Sequence, residues 1–339
     1  MSLSHSALSS SFHRVLCVFA ALSVLIWPAS ARPWTNQAGT QIEAELTGVE
    51  GGNALLQKDG KVFRVQIATL SPDDQEFIRA WKPSAPAAKS GNSKEVAKKG
   101  ACLGAQSADW ADRLRSLNVG WFYQWKSEAT AGSPDGVEFV PMVFGKPNQI
   151  TPGVAHVNKE KQSARFQFLL GFNEPDKEDQ ANMTVEAALE AWPQLMSTEL
   201  PLISPAAANP EGEWMEKFMA GIKERGYRVD YIAIHSYGGP SVAGFLDKLE
   251  RVHRKFDLPL WITEFGVGDW QAKTVKENNH SVRDIKDFMK AVLPKLDRLK
   301  YVHRYAWFPS SPDDPHLGTS ALFNADGSLT ELGEVYAKH

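Results

Sequence analysis

Eight short apolar runs alternate with helix-like segments along residues 100–339, and this alternation constrains the fold more than any other feature of the sequence. The runs are rich in Val, Ile, Phe and Trp, which favour strands. Strands that alternate with helices are typical of βα units and a parallel sheet. The runs begin at residues 100, 119, 137, 166, 200, 230, 258 and 301. Since a (β/α)8 TIM barrel takes roughly 250 residues, we predict that α/β fold for this segment.

Four of the segments between these runs carry apolar side chains three or four residues apart, which predicts amphipathic helices with one buried face. Ser281 with Asp284 indicates the start of the last of these helices, and Gly226 indicates the end of the second. The predicted buried faces are Trp110, Leu114 and Leu117; Trp214, Phe218 and Ile222; Phe245, Leu249, Val252 and Phe256; and Ile285, Met289, Val292 and Leu296.

A separate short module is predicted upstream, over residues 32–82. Residues 41–67 read as strands, with turn signals at Gly51-Gly52 and at Asp59-Gly60. Ser71 then precedes a short helix with Pro72 in its first position. The opening RPWT, the strand IEAEL, the DGK turn and the closing LSPDDQEFI resemble the Sla-homology domain. That resemblance implies a small SH3-like β module, with either a solubility role or a surface-binding role.

The remaining segments are predicted to be a leader and a linker. Arg14 precedes an apolar run from Val15 to Trp27, and small residues follow at 29–31. This layout is typical of a secretory signal peptide, residues 1–31. The apolar run is shorter than the roughly 20 residues that span a bilayer, which argues against a membrane anchor. Residues 83–99 are rich in Pro, Ala, Ser and Lys and read as an interdomain linker. We therefore expect a secreted or periplasmic protein with no membrane segment after cleavage.

Composition excludes several classes of function. The chain has 37 basic and 40 acidic residues, so it has no basic field to hold a phosphate backbone, and we predict no nucleic-acid partner. The sequence has no HExxH or CxxC motif, and its histidines lack metal-ligand spacing. No GxSxG elbow or phosphate-binding loop is present either. We therefore predict no metal and no cofactor.

Two of the predicted strands end in a glutamate. The run from Phe168 ends in Asn173-Glu174, with Pro175 next, and the run from Leu258 reaches Glu264. Catalytic groups of such barrels lie at the carboxyl ends of strands. One glutamate of this kind could simply bind backbone amides or an arginine at the rim. Two such glutamates, on strands that face each other across the barrel, favour a catalytic role over this structural one.

Hydrolysis of a glycosidic bond uses two carboxyl groups in this way. One protonates the leaving oxygen, while the other meets the developing positive charge on the anomeric carbon. When the groups lie about 5 to 5.5 Å apart, their mutual repulsion raises the pKa of the less well hydrogen-bonded one. The pair Glu174 and Glu264 therefore predicts a glycosidase.

The motifs GFNEPD at 171–176 and WITEFG at 261–266 resemble those of glycoside hydrolase family 128, the clan A barrels that include endo-β-1,3-glucanases. The resemblance extends from Lys99 to Ala337 and includes the IHSYG and YAWF segments. It implies a retaining reaction through a glycosyl-enzyme intermediate. By that resemblance Glu174 is the general acid and base, and Glu264 is the nucleophile.

Neighbouring side chains are candidates for binding substrate. Asn173 could donate to the sugar 2-hydroxyl or close the turn before the proline. His235 and Tyr237 alternate on one strand and so share a face; Tyr237 could hold the nucleophile ionised, whereas His235 is equally consistent with a core residue. Aromatic rings at strand ends stack on pyranose faces. The candidates for stacking are Trp125, Trp307, Phe308 and Trp270, with Trp125 and Trp307 preferred.

The favoured hypothesis is thus a secreted, monomeric, retaining endo-β-1,3-glucanase that degrades β-glucan polysaccharide or oligosaccharide in carbohydrate metabolism, with a catalytic domain at 100–339. A clan A hydrolase of another β-glycan, such as xylan or mannan, is the nearest alternative. A glycan-binding barrel with weak or no turnover is an alternative of a different class.

Overall fold

The computed structural model describes residues 32–58, 61–80 and 97–339. These residues form two compact units, one at 32–80 and the other at 97–339. The predicted signal peptide, most of the predicted linker, Trp81 and the Asp59-Gly60 turn lie outside the described residues. None of the described helices has the length and apolar character needed to cross a bilayer.

The first unit is a four-stranded antiparallel sheet with one helix. Strands β1 (Arg32–Thr35), β2 (Gln41–Glu50), β3 (Asn53–Lys58) and β4 (Lys61–Gln66) pair in chain order. Gly51 and Gly52 both have positive φ, which the tight turn between β2 and β3 requires. Helix α1 (Pro72–Ala80) follows, and its start is where the sequence predicts it.

Asp74 ties the helix of the first unit to its sheet. Its carboxylate accepts hydrogen bonds from Arg32 at 2.7 Å, from the Thr35 amide at 2.7 Å and from the Ser71 hydroxyl at 2.9 Å. A buried carboxylate needs such donors. The unit's own core contains one large ring, Trp34, surrounded by small and aliphatic side chains: Ala44, Leu46, Ala54, Leu56, Leu70 and Ile78.

The second unit is a mixed α/β fold, and all eight predicted strands are present. They are β5 (Lys99–Cys102), β6 (Trp121–Tyr123), β7 (Glu138–Phe139), β8 (Leu169–Leu170), β9 (Leu202–Ile203), β10 (Ile232–Gly238), β11 (Leu260–Val267) and β12 (Val302–Trp307). The predicted boundary at residue 100 falls inside β5, because Lys99 already pairs with Tyr305.

All strand pairs of this unit are parallel. One sheet has the order β10-β11-β12-β5-β6-β7, and a second sheet pairs β8 with β9. Single parallel bridges join Met142 to Leu170 and Ile203 to Tyr231. The first bridge links the chain just after β7 to β8, and the second links β9 to the residue just before β10.

Seven α-helices accompany these strands. They are α2 (Trp110–Ser116), α3 (Pro147–Glu160), α4 (Val185–Met196), α5 (Glu213–Glu224), α6 (Val242–Phe256), α7 (Val282–Arg298) and α8 (Glu331–Lys338). The four predicted apolar faces fall on α2, α5, α6 and α7. Between β6 and β7 the chain forms no α-helix.

The core of this unit has two layers. One cluster of buried side chains comes entirely from the strands and the residues next to them, and includes Trp121, Phe168 and Trp261. A larger cluster combines strand residues with the apolar helix faces. Alternate residues along a strand point to opposite faces, and accordingly Ala306 belongs to the first layer and Trp307 to the second.

Candidate active site

Both glutamates that the sequence singles out lie at carboxyl ends of strands. Glu264 is the fifth residue of β11, and Glu174 follows β8 by four residues. Both side chains are mostly buried, with exposed fractions of 5% and 8%. The backbone of Glu174 has a φ of +38°, a conformation that non-glycine residues rarely adopt and that concentrates at functional sites.

A histidine bridges the two carboxylates. His235 Nδ1 lies 3.0 Å from Glu174 Oε1, and His235 Nε2 lies 3.4 Å from Glu264 Oε1. One ligating atom from each of the three side chains lies within 4.8 Å of the others. The closest oxygens of the two carboxylates are therefore no farther apart than 4.8 Å, which is compatible with the roughly 5 to 5.5 Å spacing of carboxyl groups in retaining glycosidases.

Glu264 accepts three hydrogen bonds from neutral donors. The Tyr237 hydroxyl donates to Oε2 at 2.5 Å, and the Tyr123 hydroxyl and the Trp125 indole N–H each donate to Oε1 at 2.8 Å. Such donors stabilise the ionised form of a carboxylate. Burial raises the pKa values of both tyrosines well above their ordinary value, so they remain protonated donors.

Local geometry explains why these donors converge. His235 and Tyr237 are two residues apart on β10, so they share a face. Tyr123 ends β6, and Trp125 follows it with a φ of +53° that turns its indole back toward Glu264. Tyr123 is not among the site residues predicted from the sequence. Its place two residues before Trp125 at a strand end is the signal that could have found it.

Glu174 and His235 form a buried pair, and each shifts the pKa of the other. Burial on its own raises the pKa of Glu174, but the His235 hydrogen bond and charge, together with Lys177, lower it below its ordinary value. Burial on its own lowers the pKa of His235, whereas Glu264 and Glu174 raise it above its ordinary value. Lys177 Nζ lies 3.5 Å from Glu174 Oε2. The contact between the two side chains thus favours an ionised Glu174 and a protonated His235.

Asn173 precedes Glu174 in the chain and is buried. Its Nδ2 donates to Gln180 at 3.2 Å, while its Oδ1 is buried and has no hydrogen-bond partner among the described residues. A buried amide oxygen in that condition is available to a substrate hydroxyl. The residue also extends the strand pairing through a bridge to Ala206.

A cleft of about 520 Å³ opens above the two carboxylates. Three of the four predicted aromatic candidates line it: Trp125, Trp270 and Phe308. Trp270 is 56% exposed, as a stacking platform must be before substrate binds. Two lysines, Lys177 and Lys248, also line the cleft.

The prediction for Trp307 is wrong. Its side chain is fully buried in the layer between strands and helices, and its indole N–H donates to the Ser320 carbonyl at 2.9 Å. Because side chains alternate along β12, Trp307 points away from the cleft and the next residue, Phe308, lines it. A ring without exposed surface cannot stack on a sugar.

The same three side chains form the one cluster of potential metal ligands found among the described residues. His235, however, presents a different ring nitrogen to each carboxylate, and the two nitrogens point in different directions. A single ion therefore cannot use both contacts at the 2.0 to 2.2 Å distances of zinc ligands. The arrangement fits proton exchange between the histidine and the carboxylates better than ligation.

A second groove, of about 480 Å³, lies between α3 and α4. No ionisable side chain lines it, so it offers no group for acid or base catalysis. Its lining residues are Thr151, Val154, Ala155, Asn158, Pro193, Gln194 and Ser197.

Paired carboxylates in a cleft at the carboxyl ends of parallel strands define a glycoside hydrolase, and comparison with known proteins agrees. Residues 100–336 match the family model described as the glycosyl hydrolase catalytic core. A comparison with curated proteins returned no match.

Solved structures similar to this chain carry the same family name. One is a subgroup I endo-β-1,3-glucanase of glycoside hydrolase family 128 from Amycolatopsis mediterranei, crystallised as a variant with laminaripentaose. It is 32% identical to this chain, with a TM-score of 0.62, and the match covers 71% of this chain and 98% of that one. A subgroup II endo-β-1,3-glucanase from Sorangium cellulosum is 30% identical, with a TM-score of 0.58, over 71% of this chain and 97% of that one.

A third similar structure has a different mode of action. It is a subgroup V exo-β-1,3-glucanase from Cryptococcus neoformans, 26% identical, with a TM-score of 0.57, over 71% of this chain and 98% of that one. By the family model and by these identities, the chain belongs to the glycosyl hydrolase catalytic core family and, within it, to glycoside hydrolase family 128.

Proposed function

We propose that this protein is a retaining endo-β-1,3-glucanase. The observation that carries the proposal is the contact between His235 and both glutamates, which holds the carboxylates within 4.8 Å of each other at the floor of an open cleft. The substrate class is supported by the similar structures, which are β-1,3-glucanases, several of them crystallised with laminari-oligosaccharides.

In the first step Glu264 attacks the anomeric carbon, while the leaving oxygen takes a proton from Glu174. The three donors on Glu264 hold it ionised and fix its direction. The proton that the resting site keeps on His235 moves to Glu174 along their 3.0 Å contact as the carboxylate approaches the leaving oxygen. The products are a glycosyl-enzyme ester and the shortened leaving sugar.

In the second step Glu174, now ionised, removes a proton from water, and the water attacks the anomeric carbon from the side that the leaving sugar has vacated. The bond between Glu264 and the sugar breaks, and Glu264 regains its charge. Two displacements at one carbon restore the original anomeric configuration. Asn173 stands where its amide can contact the 2-hydroxyl during both steps.

The barrel is proposed to be closed, with β5 to β12 in chain order around it. Single bridges at Met142 and Ile203 connect the two sheets at both junctions. A core cluster composed only of strand-side residues is what the interior of a closed barrel contains. Closure places Glu174 and Glu264 on opposite sides of one mouth.

Export and the role of the N-terminal unit complete the proposal. The first 31 residues have the layout of a signal peptide, which supports secretion or delivery to the periplasm. The four-stranded unit at 32–80 is proposed to be an SH3-like accessory module, on the strength of its antiparallel strand order and its own core.

Hydrolysis of laminarin, followed by the release of reducing ends, tests the proposal. Wild type should release a range of oligosaccharides, as internal cleavage requires. Glu174→Gln should lower kcat by about 10²- to 10⁴-fold, the contribution of a general acid, and Glu264→Gln should lower it further. Glu224→Gln, on the exposed face of α5, is the matched control and should leave the rate unchanged.

Three results would contradict the proposal. Equal activity in wild type and both glutamine variants would place the chemistry elsewhere. Tight laminarin binding by wild type without release of reducing ends would favour a glycan-binding protein, and release of glucose alone would favour exo action.

A further inference from the structure

Lys248 is a cleft residue that the proposed mechanism does not use. It lies on α6, and its side chain reaches the end of β10, where Nζ lies 3.2 Å from the Ser236 hydroxyl and 3.4 Å from the His235 carbonyl. Both contacts are long for hydrogen bonds to an ammonium group. They occupy at most two of the three N–H donors that a lysine carries.

The lysine also has no close counter-charge. No carboxylate of the described residues lies within 4.0 Å of its ammonium group. Glu211, the acid whose charge acts on Lys248, is engaged by Arg251 through two contacts of 2.8 and 2.9 Å. Burial lowers the pKa of Lys248, as expected for an ammonium group that has lost water without gaining an anion.

The cleft above the carboxylates has two unlike sides. The side that follows β8 and β9 and includes α6 is lined by Lys177, Gln180, Ala208 and Lys248. The side that follows β11, β12 and β6 is lined by the aromatic rings Trp125, Trp270 and Phe308. One side therefore offers donors to hydroxyl groups, and the other offers flat apolar faces.

The position of the acid assigns these sides to the two halves of the substrate. This step rests on the proposed function. Glu174 follows β8 and protonates the leaving oxygen, so the leaving sugar lies on the side of Glu174, over Gln180, Ala208 and Lys248. The sugar that becomes attached to Glu264 then lies toward the aromatic side.

We propose that Lys248 is a specificity-determining residue that binds the sugar on the leaving side of the scissile bond. Its free N–H donor points to a ligand with hydroxyl or ring oxygens, which a glucosyl unit supplies. A charge-assisted hydrogen bond in a desolvated site contributes more than one in water. The contact orients the leaving sugar so that its glycosidic oxygen meets Glu174.

Two substrates separate this role from a structural one. A laminari-oligosaccharide places a sugar on the leaving side, whereas 4-nitrophenyl β-laminaritrioside places only nitrophenol there. Lys248→Met keeps much of the side-chain length and removes the donors. It should lower kcat/KM on laminarihexaose by about 10-fold or more and leave kcat/KM on the aryl glycoside within twofold of wild type.

The matched control is Lys223→Met, on the exposed face of α5. This variant should not change kcat/KM on either substrate. Equal loss on both substrates would overturn the proposal, because it would mean that Lys248 only supports the end of β10. No loss on either would overturn it as well. If the wild-type enzyme were inactive on laminarihexaose but active on the aryl glycoside of another glycan, that result would reject the proposed function instead.

A second measurement remains informative if the variant is less stable. The glycosyl-enzyme formed from an activated 2-fluoro glycoside turns over faster when an added sugar acts as acceptor on the leaving side. Laminaribiose should accelerate turnover of the wild-type intermediate, and Lys248→Met should raise the half-saturating laminaribiose concentration about 10-fold or more. An unchanged concentration would overturn the proposal.

Discussion

At the scale of single residues, the site consists of two buried carboxylates with different hydrogen-bond partners. Glu264 accepts three hydrogen bonds from neutral donors and lies 3.4 Å from His235 Nε2. Glu174 lies closer to the histidine, at 3.0 Å from Nδ1, and also faces Lys177. Neutral donors stabilise an anion without offering it a proton of ordinary acidity. The histidine offers such a proton to Glu174 through the shorter contact, which supports the different roles proposed for the two glutamates.

Tyr237→Phe tests the importance of the shortest of these contacts. Removing a hydrogen bond to a charged group costs about 1.5 to 3 kcal/mol, which corresponds to roughly 10- to 100-fold in kcat. Steady-state kinetics on laminarihexaose measures the effect, with Tyr301→Phe as a control outside the cleft. A kcat within twofold of wild type would contradict the role of the tyrosine in holding the nucleophile.

The Glu174–His235 pair predicts a pH dependence of stability. The pKa of His235 is raised above 6.5, so its contribution is fully present below pH 6.5 and is lost as the pH rises through the folded value. The pKa of Glu174 is lowered below 4.5, so its contribution is present above pH 4.5 and is lost as the pH falls through the folded value. The pair therefore stabilises the folded protein most between pH 4.5 and pH 6.5.

Thermal unfolding of wild type and His235→Gln across pH 5 to 9 measures this contribution. The difference in Tm should be larger at pH 5.5 than at pH 9, because only the protonated histidine forms an ion pair. A difference that stays constant or grows toward pH 9 would show that the histidine acts through packing alone.

The sequence predicts site residues well when they stand in a recognisable motif. It predicts them less well when their role depends on the direction in which the side chain points. Glu174 and Glu264 are identifiable because each interrupts an apolar strand at its end. The sequence does not show which of Trp307 and Trp125 lines the cleft, since both are tryptophans near strand ends. Strand alternation turns Trp307 into the helix layer, while a left-handed φ turns Trp125 into the cleft. Neither orientation is readable from residue type.

At the scale of elements, helix caps and apolar faces account for what the sequence predicts well. Helix α7 begins after Ser281, whose hydroxyl accepts from the Asp284 amide at 3.2 Å, as the Ser281–Asp284 spacing predicts. Its apolar face, from Ile285 to Leu296, is buried. Strands β6 to β9, by contrast, are much shorter than the apolar runs that predict them, because the buried loops at their ends are as apolar as the strands.

Ser281→Ala tests the cap of α7. Losing the side-chain acceptor should cost about 1 kcal/mol and lower the Tm by about 2 to 4 °C, without changing kcat, since the helix lies outside the cleft. Ser281→Thr keeps a hydroxyl and should recover most of the loss. Equal Tm values for the alanine and threonine variants would show that the cap does not stabilise the helix.

At the scale of the whole molecule, two compact units have separate cores. The smaller unit packs around Trp34, and the larger one places its cleft at the carboxyl ends of its strands. The βα alternation predicts the larger unit because each apolar run must pair with its neighbours and be covered by a helix. The alternation does not reveal the two-sided lining of the cleft, which depends on loops and on the reach of Lys248 from α6.

The central claim is that Glu264 forms a covalent bond to sugar while Glu174 handles the proton. Incubation with an activated 2-deoxy-2-fluoro laminaribioside, followed by peptide mass spectrometry, tests it most directly. We predict an added mass of one fluorinated disaccharide on the peptide containing Glu264, and on no other peptide. A label on another residue, or hydrolysis of laminarihexaose that first yields the α-anomer with no label, would contradict the account.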